Sequence, residues 1–373
     1  MLTRQLMILV VASLSALSAY AQVSYEADVA KVTLEGFANV TAGWRSRGRD
    51  CGDCEEGVSF DGALRALAVH SFADDSRAGA RLVLQSSSSE SFEIGEATLI
   101  YFNDLGRFEV GDRMGLPDVL LGYAPNNFTF TGAEYGPASG RSLDPGGGLV
   151  TTFLDSALAA QLGSLSGLGL AASLAEDQSA KLIFVPQKRN GFLGGLSLAP
   201  NATDPRFGAL AQAGLTREWY WAQNVLRVGG SYSYASADAN DMEDLHSANL
   251  GITATLDDSL MLGVAVTYNG SSGTSHRGPF GVSAAVGLTA SVNYNTGPWT
   301  LGGFVQAAQA EGDVELRGND RLRALEAGVS YRLDTRVRIF AAVYLFEFDD
   351  EGGAGSRHRQ DGAVWMMGTR VTL

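Results

Sequence analysis

The sequence is poor in several features that mark the common protein classes. Only 2 of its 373 residues are cysteine, too few for a disulfide-dense scaffold, whereas 45% are apolar, too many for a disordered polyelectrolyte. The formal net charge is −14, and nucleic-acid binding requires clustered Lys and Arg, so we predict no nucleic-acid partner. Lysine occurs only at Lys31, Lys181 and Lys188. The other cations are arginines, which keep their charge and planar donors opposite carboxylates in a confined polar space.

The first 21 residues have the pattern of a cleaved export signal. A single charge, Arg4, precedes an apolar run that begins at Leu6, and the segment closes with Ala19-Tyr20-Ala21. A charged start, a short apolar centre and a small-residue end are typical of secretory signals. The sequence therefore predicts maturation before Gln22, with an uncleaved anchor as the alternative.

After residue 21, no apolar stretch reaches the roughly 20 residues that a transmembrane helix needs. A helical membrane protein is therefore excluded. An exported chain of this kind is either a soluble protein or a closed β-barrel, the other structure that satisfies every backbone polar group in lipid.

Side-chain alternation with a period of two recurs along the chain. In residues 281–294, Val286, Leu288 and Val292 fall on one face, while Thr289 and Asn293 fall on the other. A helix would scatter these positions around its axis, whereas a strand sorts them by parity. The pattern predicts sixteen strands, at 31–44, 59–72, 77–87, 92–102, 107–113, 181–186, 191–199, 206–217, 219–235, 246–256, 259–269, 281–295, 298–311, 321–333, 336–348 and 361–373.

Short connections alternate with long ones. Tight turns are predicted at 73–76, 103–106, 257–258, 296–297 and 334–335, and polar loops at about 45–57, 236–244, 270–280, 312–320 and 349–360. Short turns on one rim and long loops on the other are typical of bacterial outer-membrane barrels. The even strand number places both termini on the short-turn side. We therefore predict an all-β fold, a sixteen-stranded antiparallel transmembrane β-barrel that spans residues 22–373.

Alternation alone does not distinguish a membrane barrel from a soluble β-protein with an apolar interior. The strands are long for a soluble protein, and one face is rich in Arg, Glu, Thr and Ser, a poor lining for a dry core. Aromatic residues also cluster near strand ends, which suits membrane interfaces. These features favour the membrane barrel, with outer-membrane lipids around it and the apolar faces outward.

A long insertion, at about 114–179, interrupts the strands and exceeds the usual ~12–15-residue limit for structureless loops. Because the first and last strands of a closed barrel are neighbours, arginines from both ends of the chain can line one stretch of wall. We predict that the insertion folds inward as the third long loop and that its acidic residues face these arginines. An outward lid, with the arginines balancing scattered lumen carboxylates, is the alternative. The candidate acidic residues of the constriction are Asp118, Glu134 and Asp144, and the candidate basic residues of the wall are Arg65, Arg77, Arg81, Arg107, Arg113, Arg336, Arg338 and Arg370.

Two segments carry a family resemblance. Residues 96–112, Glu-Ala-Thr-Leu-Ile-Tyr-Phe-Asn-Asp-Leu-Gly-Arg-Phe-Glu-Val-Gly-Asp, resemble the strand-turn-strand before the third loop of Gram-negative general porins, especially alphaproteobacterial ones. Residues 180–200 resemble the hairpin after that loop. The resemblance implies a sixteen-stranded homotrimeric barrel whose third loop narrows the pore. Members usually end in an aromatic residue, whereas this chain ends in Leu373.

Other motifs do not indicate catalysis. Cys51 and Cys54 lie close together in an exported loop, which favours a local disulfide, since zinc would need two further ligands. Acidic loop residues are candidates for Ca²⁺, although solvated loops are the simpler interpretation: Asp241, Glu243, Asp244, Asp349, Asp350 and Glu351. Otherwise no metal site and no cofactor are expected. No nucleophile elbow is present, so the chain is not expected to be an enzyme.

The sequence thus predicts a passive, water-filled channel of the outer membrane for small polar solutes and ions, with a weak preference for cations. A substrate-selective channel is the first alternative. A non-conducting adhesin or outer-membrane enzyme is the second.

Overall fold

The alternating segments form a continuous antiparallel sheet. A computed structural model describes residues 23–26, 30–47, 56–86, 93–113, 115–116, 179–202, 206–238, 242–270, 272, 285–310, 319–350 and 358–372. Within these ranges, no helix has the length and apolar character needed to cross a membrane. The strands are β1 Val23–Glu26, β2 Lys31–Arg47, β3 Glu56–Ser71, β4 Arg77–Ser86, β5 Glu93–Asn103, β6 Gly106–Asp112, β7 Ala180–Pro186, β8 Phe192–Ala199, β9 Phe207–Trp221, β10 Asn224–Ala237, β11 Leu245–Leu256, β12 Leu260–Gly270, β13 Ala285–Thr296, β14 Trp299–Ala310, β15 Asp320–Arg332, β16 Val337–Asp350 and β17 His358–Thr372.

Strands β2 to β17 close into a ring of sixteen, which confirms the predicted strand number. Each strand pairs with the next, and β17 returns to β2, with Arg370 opposite Asn39 and Thr372 opposite Phe37. The short strand β1, which the alternation does not predict, also pairs with β2 and places Val23 opposite Leu34. It continues the line of β17 beyond Thr372. Strands β1 and β17 therefore share one position in the wall, beside β2.

The two faces of the sheet have opposite polarity. Leu99 and Leu196 on the outer face are 66% and 59% exposed, whereas Thr41 and Ser233 on the inner face are fully buried. Since neighbouring strands keep this parity around the ring, the apolar side of the sheet points outward. The fold is therefore a membrane barrel, and the soluble alternative, with its apolar face inside, is wrong.

Short turns close one rim, at the positions that the sequence indicates. Residues 257–259 join β11 to β12, and the Ser259 N–H donates to the Leu256 carbonyl at 3.1 Å. The two central residues of this turn, Asp257 and Asp258, have positive φ of 48° and 53°, as the type I′ turns favoured in hairpins require. In the β15–β16 turn, the Asp334 carboxylate accepts hydrogen bonds from the backbone N–H groups of Arg336 and Val337 at 2.7 and 2.8 Å. These local hydrogen bonds fix the register of each hairpin.

One predicted turn is misplaced. The β9–β10 turn lies at residues 222–223, so the residues 219–221 end β9 instead of beginning β10. The cause is visible in the alternation: Arg217, Trp219 and Trp221 keep one parity up to the turn, and Ala222 adopts the positive φ of 50° that reverses the chain. The β9–β10 hairpin is therefore longer than predicted and ends in aromatic residues.

Aromatic side chains on the outer face lie near both rims. The outward aromatics near the short turns include Tyr101, Trp219, Trp221, Tyr294 and Trp299, and those near the opposite rim include Trp44, Tyr232, Tyr234, Tyr268 and Trp365. Trp44 and Trp365 stack across the β2–β17 seam with ring centroids 6.2 Å apart. Amphipathic rings prefer the membrane–water boundary, so the two belts mark the span of the hydrocarbon region.

Candidate functional site: the charged channel wall

An ion cluster crosses the inner face of β4, β5 and β6. Nη1 of Arg113 lies 2.6 and 2.7 Å from the two carboxylate oxygens of Glu96, and its Nε lies 2.8 Å from Oε2 of Glu109. Nε of Arg107 lies 2.8 Å from Oε1 of Glu109. Nη1 of Arg81 lies 3.7 Å from Oε2 of Glu96 and 3.9 Å from Oε2 of Glu109. Three cations thus surround two anions, and the cluster carries a net positive charge.

The local backbone allows Arg113 to reach both carboxylates. Gly111 has φ of +133°, a conformation that L side chains rarely adopt, and a Cβ at this position would lie 2.2 Å from the carbonyl oxygen of Ala97. The hydroxyl of Thr98 donates to the carbonyl of Asp112 at 2.9 Å and holds the end of β6 against β5. Glycine therefore permits the close approach that turns Arg113 back onto Glu109.

Glu96 and Glu109, the carboxylate partners of these arginines, are not among the predicted site residues. The signal is present in the hairpin register. With Asn103 opposite Gly106 at the turn, Ala97 falls opposite Asp112, so Glu96 lies beside Arg113. Counting pairs back from the predicted turn therefore places these charges together. Carboxylates of the wall enter the prediction only through its alternative, in which the arginines balance scattered lumen carboxylates.

The remaining wall arginines are distributed over the same side of the barrel. Arg65 on β3 lies 3.3 Å from Glu35, its partner across β2. Arg338 and Arg370 are cross-strand partners on β16 and β17, and the guanidinium of Arg370 lies 4.8 Å from the ring centroid of Phe37. Because β17 pairs with β2, these arginines and the ion cluster occupy neighbouring strands.

Two of the candidate arginines lie at the rim. Arg77 is the exposed first residue of β4, and its guanidinium lies 4.8 Å from the ring centroid of Phe102. Arg336 belongs to the β15–β16 turn instead of a strand. Neither contacts the ion cluster, so both lie closer to the short-turn mouth than to the middle of the wall.

The insertion starts on the inner side of the barrel. Leu116 is fully buried against Ile183 and Val185, and its backbone N–H donates to Oε1 of Gln212 on β9 at 3.1 Å. The chain therefore turns inward directly after β6. The constriction candidates Asp118, Glu134 and Asp144, and the predicted cysteine pair Cys51 and Cys54, lie outside the described residues.

Opposite the ion cluster, the inner face of β11–β13 is polar, and its described side chains are uncharged. Asn249, Thr267 and Thr289 are buried on this face, and the Thr267 hydroxyl donates to Asn249 at 2.7 Å. Nearer the cluster, on β8–β10, the Gln212 amide accepts from Ser197 at 2.9 Å and donates to Ser233 at 3.3 Å. In a ring of sixteen, β5 and β13 are eight positions apart and lie opposite each other. A charged wall thus faces a wall of amides and hydroxyls.

One sector of the inner face is more apolar than the strand alternation predicts. Tyr344, Phe348 and Val364, on β16 and β17, point inward and are fully buried. Between them and β14 lies Glu326, 1% exposed, whose carboxylate oxygens have no hydrogen-bond partner among the described residues. The expectation of a polar inner face therefore holds for β3–β14 better than for β15–β17.

Among the described residues, no group of three or more His, Cys, Asp and Glu side chains is placed to hold a metal ion. The carboxylate of Asp244, one of the Ca²⁺ candidates, instead accepts hydrogen bonds from the Tyr234 hydroxyl at 2.8 Å and the Ala237 N–H at 2.9 Å. Asp244 therefore fastens its loop to β10. The Ca²⁺ prediction for the other acidic loops stays a prediction.

A closed sixteen-stranded antiparallel ring, apolar outside and charged or hydroxyl-bearing inside, defines an outer-membrane channel barrel. A family model described as Gram-negative porin matches residues 8–351. The chain belongs to this family and is a porin of the outer membrane of Gram-negative bacteria.

Solved structures share the fold at low sequence identity. The trimer form of in-vitro folded OmpT, an outer membrane protein of Vibrio cholerae, is 12% identical, with a TM-score of 0.57, and the match covers 92% of this chain and 99% of that one. An anion-selective porin from Comamonas acidovorans is 11% identical, with a TM-score of 0.58 and coverage of 92% and 100%. A mutant form of the Rh. blastica porin is 14% identical, with a TM-score of 0.55 and coverage of 92% and 100%. A comparison with curated protein sequences gave no match.

Proposed function

We propose that this porin is a passive, water-filled channel for small hydrophilic solutes and ions, and that it has no catalytic activity and no cofactor. The observation that carries the proposal is the opposition between the Arg81–Glu96–Arg107–Glu109–Arg113 cluster and the uncharged amide and hydroxyl side chains on the inner face of β11–β13. A charged wall across an aqueous gap produces a transverse field. Such a field orients polar solutes and disfavours apolar ones, whose dipoles are too weak to respond.

We infer that acidic residues of the insertion supply the negative side of this transverse field. With Leu116 already on the inner side of the barrel, Asp118, Glu134 and Asp144 would face the arginines of β3–β6 and narrow the pore. The net charge of −14 attracts cations to the mouths, whereas the ion cluster favours anions at its own level. We expect a weak overall preference for cations.

A homotrimer is the proposed assembly. The outer faces of β2, β3 and β4 carry small side chains around the seam: Gly36, Ala38, Ala42, Gly62, Ala66, Ala68, Ala78 and Ala80. Small residues allow transmembrane helices to approach closely in lipid, and we infer the same for the sheets of neighbouring subunits. The Vibrio cholerae OmpT structure in trimer form shows that a barrel of this fold assembles in threes.

Conductance in planar bilayers tests the proposal. Purified, heat-modifiable protein should insert with large open steps, in groups of three for a trimer. Folded protein that never conducts would exclude a channel, and hydrolysis or surface binding without ion flux would favour the adhesin or enzyme. Block of the current by one sugar or anion at micromolar concentration would favour the substrate-selective channel.

A further inference from the structure

Arg217 is a charged residue on the outer face of the barrel. On β9 it lies directly opposite Phe192 of β8, and its parity is that of Leu215 and Trp219, which are 54% and 37% exposed toward the lipid. Phe192 is the first residue of β8, so Arg217 is level with the short-turn rim. Charged side chains on a lipid-facing surface are costly near the bilayer midplane but inexpensive at the interface. An outward arginine therefore belongs to the headgroup level.

Two aromatic rings hold the guanidinium in place. Its central carbon lies 4.5 Å from the ring centroid of Phe192 and 4.6 Å from that of Trp219. These are its only interactions with described residues, and its buried Nε has no hydrogen-bond partner among them. Guanidinium carries five N–H donors in a planar fork. The rings fix the orientation of the fork and leave its donors for an external acceptor.

The surrounding charge is positive, although the whole chain is acidic. Lys188 and Arg189 lie in the β7–β8 turn, and Arg227 lies on β10. The single carboxylate among them, Glu218, points to the inner side, where Lys188 and Arg227 bind it. Arg217, on the opposite side of the sheet, is thus left without a carboxylate among the described residues. This arrangement attracts an anion from the lipid side.

We propose that Arg217, Phe192 and Trp219 form a binding site for the phosphate group of an inner-leaflet phospholipid. Short turns lie on the periplasmic side of outer-membrane barrels, so the lipid at this rim belongs to the inner leaflet. A guanidinium binds a phosphate bidentately and strongly, and the two rings contact the glycerol and upper acyl chain. The site anchors one lipid beside the β8–β9 hairpin.

Native mass spectrometry of the complete barrel tests the site. The probes are phosphatidylglycerol and a diacylglycerol with the same chains but no phosphate. Wild-type protein should retain phosphatidylglycerol in preference to diacylglycerol. Arg217→Gln should weaken that retention about tenfold, which corresponds to about 1.4 kcal/mol, whereas Arg217→Lys should keep most of it because the charge remains. The matched control is Arg323→Gln, another outward-facing arginine, which lies near the opposite rim on β15 and should leave phosphatidylglycerol retention as in the wild type.

Several results would overturn the proposal. Equal retention of phosphatidylglycerol and diacylglycerol by the wild-type protein would contradict the proposal. This result needs no variant, so it decides the question even if Arg217→Gln fails to fold on a heat-modifiability gel. Equal retention by folded Arg217→Gln would also contradict it. Displacement of the lipid by millimolar inorganic phosphate would assign the site to a soluble anion. Dissociation of the oligomer in Arg217→Gln with lipid retention unchanged would assign Arg217 to a subunit contact.

Discussion

Arg113 and Glu96 form a buried ion pair, with Nη1 of the arginine 2.6 Å from the nearer carboxylate oxygen, although they are 17 positions apart. Arg113 is the residue that follows β6, directly before the insertion. Its pairing with Glu96 and Glu109 therefore joins the start of the insertion to two strands of the wall. The direction in which the chain leaves the wall depends on these contacts, as does the position of the buried Leu116 further along the chain.

Arg113→Gln should destabilise the barrel or impair its assembly. The Arg113 side chain is 2% exposed and the Glu96 side chain 4%, and removal of one partner from a buried ion pair leaves an uncompensated charge, at a cost of about 3–5 kcal/mol. The double variant Arg113→Gln with Glu96→Gln should recover part of the loss. The measurement is the urea midpoint of unfolding in detergent.

Arg323→Gln is the control for this comparison, because Arg323 is exposed on the outer face of β15 and should change the midpoint little. A double variant as unstable as the sum of its two single variants would show that Arg113 and Glu96 are energetically independent.

The strands and turns can be predicted from the sequence because each long strand carries its own alternation and each hairpin its own turn residues. The inner face of β16 and β17 cannot, since Phe346 and Leu345 are both apolar although they face opposite sides. Where both faces of a strand are apolar, odd and even positions do not differ in polarity, so the sequence does not show which face points inward. Strand β1 is missed for another reason: four residues are too few for a periodic signal, and it exists because β2 extends beyond the end of β17.

The candidate site is predicted in part for a similar reason. Strand parity identifies Arg65, Arg81 and Arg107 as inward residues, but it does not reveal which level of the wall each occupies. Arg77 has the same parity as Arg81 and yet lies at the rim, because it is the first residue of β4. Level depends on the register between strands, which only the pairing around the ring defines.

Arg81→Gln should shift the reversal potential toward cation selectivity more than Arg77→Gln does. Arg81 belongs to the ion cluster, whereas Arg77 lies at the mouth. A unit charge ~4 Å from a passing ion is worth about 1 kcal/mol in water, or about fivefold in local ion concentration. We expect a change in permeability ratio of up to about this size at low salt.

Planar-bilayer recordings under a salt gradient measure this effect, and it should shrink as the salt concentration rises, because the screening length falls to about 3 Å at 1 M. An equal or larger shift for Arg77→Gln would place the narrow part of the channel at the short-turn mouth.

Gly111→Ala should lower stability more than Gly297→Ala. Both glycines have positive φ, so both substitutions introduce backbone strain of about 1–3 kcal/mol. At Gly297 a Cβ meets no atom within 4 Å, whereas at Gly111 it would lie 2.2 Å from the carbonyl oxygen of Ala97. The difference between the variants isolates the close approach of β5 and β6. Equal urea midpoints would mean that β6 shifts freely, and that Arg113 does not depend on this geometry.

Protonation of Asp334 should loosen the β15–β16 turn at acidic pH. The backbone N–H groups of Arg336 and Val337 donate to its carboxylate and lower the pKa of Asp334 below the ordinary value of 3.8. A lowered pKa in the folded state means that the stabilisation is complete above pH 3.8 and is lost as the pH falls through the folded-state pKa.

Hydrogen exchange of the Arg336 and Val337 amides, corrected for the intrinsic pH dependence of exchange, should report the loss. Asp334→Asn keeps an amide oxygen as acceptor but cannot titrate, so its protection should stay constant over the same range. A parallel loss of protection in Asp334→Asn would show that another group controls the turn.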